Sequence, residues 1–79
     1  MKVTVKYLGN IAEHLKMEIE YIELPETSTY NGFIEVLNSL HFGLQGFVYK
    51  VAVNQKIVTE NIQLKDNDEI AILPPFSGG

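Results

Sequence analysis

Polar and apolar residues alternate strictly at the start of the chain. Val3, Val5 and Tyr7 fall on one face of an extended strand, and lysine and threonine side chains occupy the other face. Residues 17–24 alternate again and stop at a proline, which cannot continue the hydrogen-bond ladder of a central strand. The pattern predicts two half-buried strands that pair as a hairpin.

The segment between the two strands, residues 9–16, has apolar residues spaced for one helical turn only, and we expect an irregular loop there.

A helical period follows the second strand. After the second strand, the apolar positions recur with the spacing of a single well-formed helix, and we expect this stripe in the core. Gly43 follows the helix and suits the left-handed conformation that often ends one. The stripe consists of Tyr30, Phe33, Ile34, Leu37 and Leu40.

Three further strands are predicted in the C-terminal half. Residues 47–53 and 56–58 flank a tight turn at Asn54-Gln55, and the polar turn 65–68 precedes the apolar strand 69–73. The element order is therefore β-β-α-β-β-β. We expect an α+β fold in which one main helix packs on one face of a mixed sheet of four to five strands.

Length and composition exclude several classes of protein. With 79 residues, the chain has room for one domain, and without cysteine it forms no disulfide, zinc finger or thiol active site. His14 and His41 lie far apart and near no spaced carboxylates, so we expect no metal site. Neither a signal peptide nor a long apolar segment is present, and we expect a cytoplasmic protein with no membrane partner.

The charge balance bears on the partner. The chain has ten acidic and six basic residues, a net charge of −4. This charge repels phosphate backbones, so nucleic acid is not an expected partner. A partner with a positive docking surface is expected instead.

The C-terminus is the most specific part of the sequence. Strand 69–73 runs into Pro74-Pro75, which blocks further strand pairing, and the chain ends in two glycines that leave the backbone free. We therefore expect a folded domain over residues 1–75 and a flexible tail over residues 76–79. The candidate reactive group is the carboxylate of Gly79, at the end of a segment whose last two residues have no side chains.

Three stretches of the chain resemble the MoaD/ThiS sulfur-carrier family in order and spacing. They are Ala52-Val53-Asn54-Gln55, the acidic turn from Lys65 to Ile70, and the ending from Leu73 to Gly79. The resemblance covers essentially the whole chain. It implies a ubiquitin-like β-grasp fold, in which the first and last strands lie side by side in the middle of the sheet.

The resemblance also implies a function. An E1-like adenylating enzyme would use ATP and Mg²⁺ to adenylate the Gly79 carboxylate, and sulfur would then replace AMP to give a thiocarboxylate. Gly78 would keep the tail thin enough to enter that enzyme. The chain itself would bind no cofactor and supply no acid, base or metal ligand. The Pro-Pro pair favours molybdopterin synthesis, with the large subunit of molybdopterin synthase as a further partner, over thiamine synthesis.

A docking patch is implied as well. In the family, apolar residues on the exposed sheet face contact both partners, and the matching positions here are Tyr7, Ile57 and Leu73. Alternation independently places Leu73 opposite the core residues of its strand. Phe76 would extend the patch along the tail.

Three alternatives remain at this stage. Asp66, Asp68 and Glu69 either meet a basic groove on the activating enzyme or form a solvated turn. The Gly79 carboxylate either carries sulfur or forms isopeptide bonds to target lysines, as in ubiquitin. In the third alternative, the whole chain is a β-grasp interaction module, and its tail takes part in no reaction.

Overall fold

The secondary structure alternates strands and helices before it ends in three strands. The computed structural model describes residues 1–75, so the predicted tail with Phe76, Gly78 and Gly79 lies outside the described residues. In chain order, the elements are β1 (Lys2–Tyr7), α1 (Gly9–Leu15), β2 (Ile19–Glu23), α2 (Tyr30–Leu40), a 3-10 helix (Phe42–Gly46), β3 (Lys50–Val53), β4 (Lys56–Ile57) and β5 (Glu69–Leu73).

The five strands form one mixed sheet in the order β2-β1-β5-β3-β4. β1 and β5 are parallel neighbours at the centre, with Val5 opposite Ile70, and the other pairs are antiparallel. The first and last strands therefore lie side by side, as expected. Asn54 and Gln55 both have positive φ in the hairpin between β3 and β4, which matches the predicted tight turn.

The core lies between one face of this sheet and helix α2. Every second residue of β1, β3 and β5 points to this face, as the alternation predicted, and Phe33 and Leu37 cover it from α2. The strand residues in this core include Val3, Val5, Tyr7, Ile22, Val51, Val53, Ile70 and Ile72.

The expectation of a loop between β1 and β2 is wrong, because residues 9–15 form helix α1. Local signals for this helix are weak: Leu8 precedes it without a side-chain cap, and its first residue is Gly9. The helix exists because Ile11 is fully buried in the core. Its end is regular, since Lys16 adopts the left-handed conformation and its N–H donates to the carbonyl of Ala12.

The end of α2 differs from the expectation at two residues. Leu40, expected in the core stripe, is 53% exposed because the helix ends there. Gly43 does not have positive φ and lies within the 3-10 helix. A Cβ there would lie 2.8 Å from Nε2 of His14, so a side chain at residue 43 would require the exposed His14 ring to move.

Candidate docking face and tail exit

The outer face, which we define as the sheet face opposite α2, carries a small apolar patch. Cross-strand register places Ala52 beside both Ile57 and Ala71, and Leu73 lies opposite Lys50. Their strand neighbours point into the core, so these side chains point away from it. Ile57 is 48% exposed and Leu73 is half-buried. Two of the predicted docking residues, Ile57 and Leu73, are therefore on one face.

Tyr7 is not on that face, which corrects the sequence-based docking patch. Its side chain lies on the core side with Val3 and Val5 and is 3% exposed. The strand alternation predicts this position. Its hydroxyl donates a hydrogen bond of 2.7 Å to Oε1 of Glu20, so it has a structural partner within the chain.

A polar triad joins β1, β2 and the end of α2. Oε1 of Glu20 accepts from Tyr7 and lies 2.6 Å from Nε2 of His41. Burial raises the pKa of Tyr7, and the hydrogen bond to Glu20 and its charge raise it further. Burial also opposes ionisation of Glu20, but hydrogen bonds from His41 and Tyr7 outweigh it and lower the Glu20 pKa. The triad stabilises a charged carboxylate near the sheet edge.

The end of β5 and Pro74 lie beside the start of α1. The N–H of Leu8 donates to the carbonyl of Ile72 with a length of 3.1 Å, which extends the β1–β5 pairing by one step. Gly9 follows with φ +57°, and a Cβ there would lie 2.9 Å from Cγ of Pro74. Sequence reasoning missed Gly9, because a glycine before a short helix does not reveal its neighbour across the sheet.

The carboxylates of the acidic turn form hydrogen bonds or an ion pair within the chain. Asp68 is buried and accepts from Nδ2 of Asn54 at 2.8 Å and from the N–H of Lys65 at 2.7 Å. Asp66 accepts from the backbone N–H of Lys2 at 2.8 Å. Glu69 lies 3.3 Å from the ammonium of a lysine on β1. These contacts favour a structural role for the turn over docking.

Comparison with known proteins identifies the family. The profile of the ThiS family matches residues 5–79. The chain belongs to this family. It is 33% identical over 76 residues to the molybdopterin synthase sulfur carrier subunit of Dictyostelium discoideum, covering 90% of this chain and 88% of the relative. The family recognised in the sequence is confirmed.

Two solved structures support the fold. A protein named molybdopterin converting factor subunit 1 from Pyrococcus furiosus superposes with a TM-score of 0.87 at 29% identity, covering 95% of this chain and 98% of that one. A complex of subunits 1 and 2 of the molybdopterin-converting factor from Helicobacter pylori matches with a TM-score of 0.73 at 29% identity, covering 100% of both chains. The predicted ubiquitin-like β-grasp fold is confirmed.

The helices within residues 1–75 are too short and too polar to span a membrane. Over the same residues, no three His, Asp or Glu side chains are grouped so as to hold a metal ion.

Proposed function

We propose that this ThiS-family chain is a sulfur carrier for molybdopterin synthesis and that its working group is the Gly79 carboxylate. The observation that carries the proposal is the family match, which runs through the terminal Gly78-Gly79. The similarity to a molybdopterin synthase sulfur carrier subunit supports the choice of pathway.

The chemistry proceeds in three steps. A carboxylate oxygen of Gly79 attacks the α-phosphorus of ATP on an E1-like enzyme, with Mg²⁺ bound there, and pyrophosphate leaves. A sulfide-level nucleophile such as hydrosulfide then attacks the acyl carbon and displaces AMP, and loss of its proton leaves the thiocarboxylate. The sulfur next attacks the acceptor, and water hydrolyses the resulting thioester, which leaves the sulfur on the acceptor and restores the Gly79 carboxylate. The requirement for ATP is why we propose the cytoplasm as the location.

In this proposal, the chain contributes position rather than catalytic side chains. Any Cβ at residues 78 or 79 would widen the segment that enters the enzyme. The outer face, with Ile57 and Leu73, would hold the domain against the partner while the tail reaches the reacting atoms. Phe76 would extend this contact along the tail. The complex of subunits 1 and 2 from Helicobacter pylori supports the large subunit of molybdopterin synthase as one such partner.

The test is intact mass after incubation with ATP, a sulfur source and extract of the source organism. Conversion of one oxygen to sulfur should add about 16 Da at Gly79, and the gain should require ATP because covalent activation precedes sulfur transfer. A chain lacking residues 78–79 is the matched control. It keeps the folded domain and should show no gain, because its carboxylate is displaced by about 7 Å.

Other products would overturn the proposal. Gly79 joined to lysine side chains, without a thiocarboxylate, would identify a protein modifier. If the extract thiolates a related carrier but leaves this chain unmodified, the chain is an interaction module.

A further inference from the structure

The outer face carries positive charge on a negative molecule. Register and alternation place Lys2, Lys6 and Lys50 on this face, with Glu23 and Glu69 as its acidic residues. The face therefore has a formal charge of +1. Because the whole chain has −4, everything else carries −5. Total charge predicts a basic partner, whereas the face that carries Ile57 and Leu73 favours an acidic one.

Two of these three lysines already have neighbours within the chain. The ammonium of Lys6 is 3.3 Å from Oε1 of Glu69. That of Lys2 lies 5.7 Å from the centre of the Tyr21 ring, and Glu23 is its partner across the strands. These contacts reduce the charge that Lys2 and Lys6 offer to a second protein.

Lys50 differs from both. It is exposed, and no ion pair is formed by it within residues 1–75. It lies directly opposite Leu73, the last residue of β5, so it stands beside the point where the chain leaves the sheet. A partner that contacts Leu73 and receives the tail must approach this ammonium group closely.

We propose that Lys50 forms an ion pair with a carboxylate of the large subunit of molybdopterin synthase, at the edge of the contact made by Leu73. The inference rests on the proposed function and adds the charge of the surface that receives the outer face. An ion pair at the rim of an apolar contact speeds encounter and sets orientation. The negative charge elsewhere on the chain disfavours approach by its other faces.

The first experiment measures association with the recombinant large subunit encoded in the same genome. We expect Lys50→Glu to slow association about 10-fold at low ionic strength and to lose most of this effect in about 1 M salt, where charges are screened within about 3 Å. Lys65→Glu is the matched control. It makes the same charge change on an exposed residue before β5 begins, at the opposite end of that strand. We expect its rate to change less than about 3-fold.

A second experiment identifies the contact. A carbodiimide reagent joins an ammonium to a carboxylate only when the two touch. We expect a cross-linked peptide that connects Lys50 to an aspartate or glutamate of the large subunit. Lys50→Arg keeps the charge and should bind with nearly unchanged kinetics, but it should not yield this product because the guanidinium forms no stable amide.

The outcomes separate the inference from the proposed function. If the wild-type chain does not bind the large subunit, the molybdopterin assignment fails, and this inference fails with it. If the wild-type chain binds but Lys50→Glu and Lys65→Glu have equal effects, only the role of Lys50 is overturned. The same conclusion follows if binding occurs and no cross-link forms at Lys50.

Discussion

Gly9 and Pro74 meet where helix α1 begins, one residue after β5 ends. A Cβ at Gly9 would lie 2.9 Å from Cγ of Pro74, closer than side-chain carbons approach, and Gly9 also has φ +57°. Glycine is therefore required twice, once for the backbone angle and once for space.

A double-mutant cycle separates the two requirements. Gly9→Ala should destabilise the fold by about 1–2 kcal/mol for the backbone angle, plus the cost of displacing the proline ring. In a Pro74→Ala background only the angle cost should remain, so the loss should be smaller by about 1 kcal/mol. Urea unfolding measures each free energy. Equal losses in both backgrounds would show that the ring contact costs nothing.

The sequence predicted most of the sheet because alternation is a local signal. The same alternation placed Tyr7 in the core, and the docking role taken from the family resemblance conflicted with it. Helix α1 was missed because it depends on burial of Ile11, a contact made only after folding. The acidic turn was ambiguous for a similar reason, since a sequence does not show that Asn54 and Asp68 are partners.

Replacement of Tyr7 tests its structural role. Tyr7→Phe keeps the ring and removes the hydroxyl, so we expect a loss of about 1–2 kcal/mol in unfolding free energy, because Glu20 loses a donor. Affinity for the partner should not change, since the side chain is buried on the core side. Thermal unfolding and binding calorimetry measure the two effects. A weaker complex at unchanged stability would restore Tyr7 to the docking surface.

The triad predicts how stability depends on pH. The pKa of Glu20 is lower in the folded chain than in the unfolded chain. Its contribution to the free energy of unfolding is therefore fully present above the pKa that Glu20 has in the unfolded chain, about 4.3. This contribution is lost as pH falls through the lower pKa of the folded chain. Glu20→Gln should reduce the loss of stability on acidification below about pH 5. Urea unfolding between about pH 3 and pH 7 measures the free energy of unfolding at each pH. Glu35→Gln, on an exposed part of α2, is the control, and an equal change in it would exclude the triad as the cause.

The acidic turn should matter for stability rather than docking. Asp68→Ala leaves two donors, Nδ2 of Asn54 and the N–H of Lys65, without their acceptor. We expect a loss of about 2–4 kcal/mol, because the groups are partly buried and the acceptor is charged. Glu60→Ala, at an exposed position, should cost less than about 0.5 kcal/mol. If Asp68→Ala instead weakens partner binding at unchanged stability, the turn is a docking element.

The last prediction asks whether the outer face docks at all. Ile57→Ala removes an aliphatic side chain that is 48% exposed, so the isolated domain should lose less than about 1 kcal/mol, while a buried contact with the large subunit would lose about 1–3 kcal/mol. Leu40→Ala is a close match, because Leu40 has the same number of carbons and is 53% exposed, but it lies at the end of α2 on the other side of the sheet. Binding calorimetry should show a complex about 5- to 150-fold weaker for Ile57→Ala and no change for Leu40→Ala. The reverse pattern would move the docking surface to the helical side.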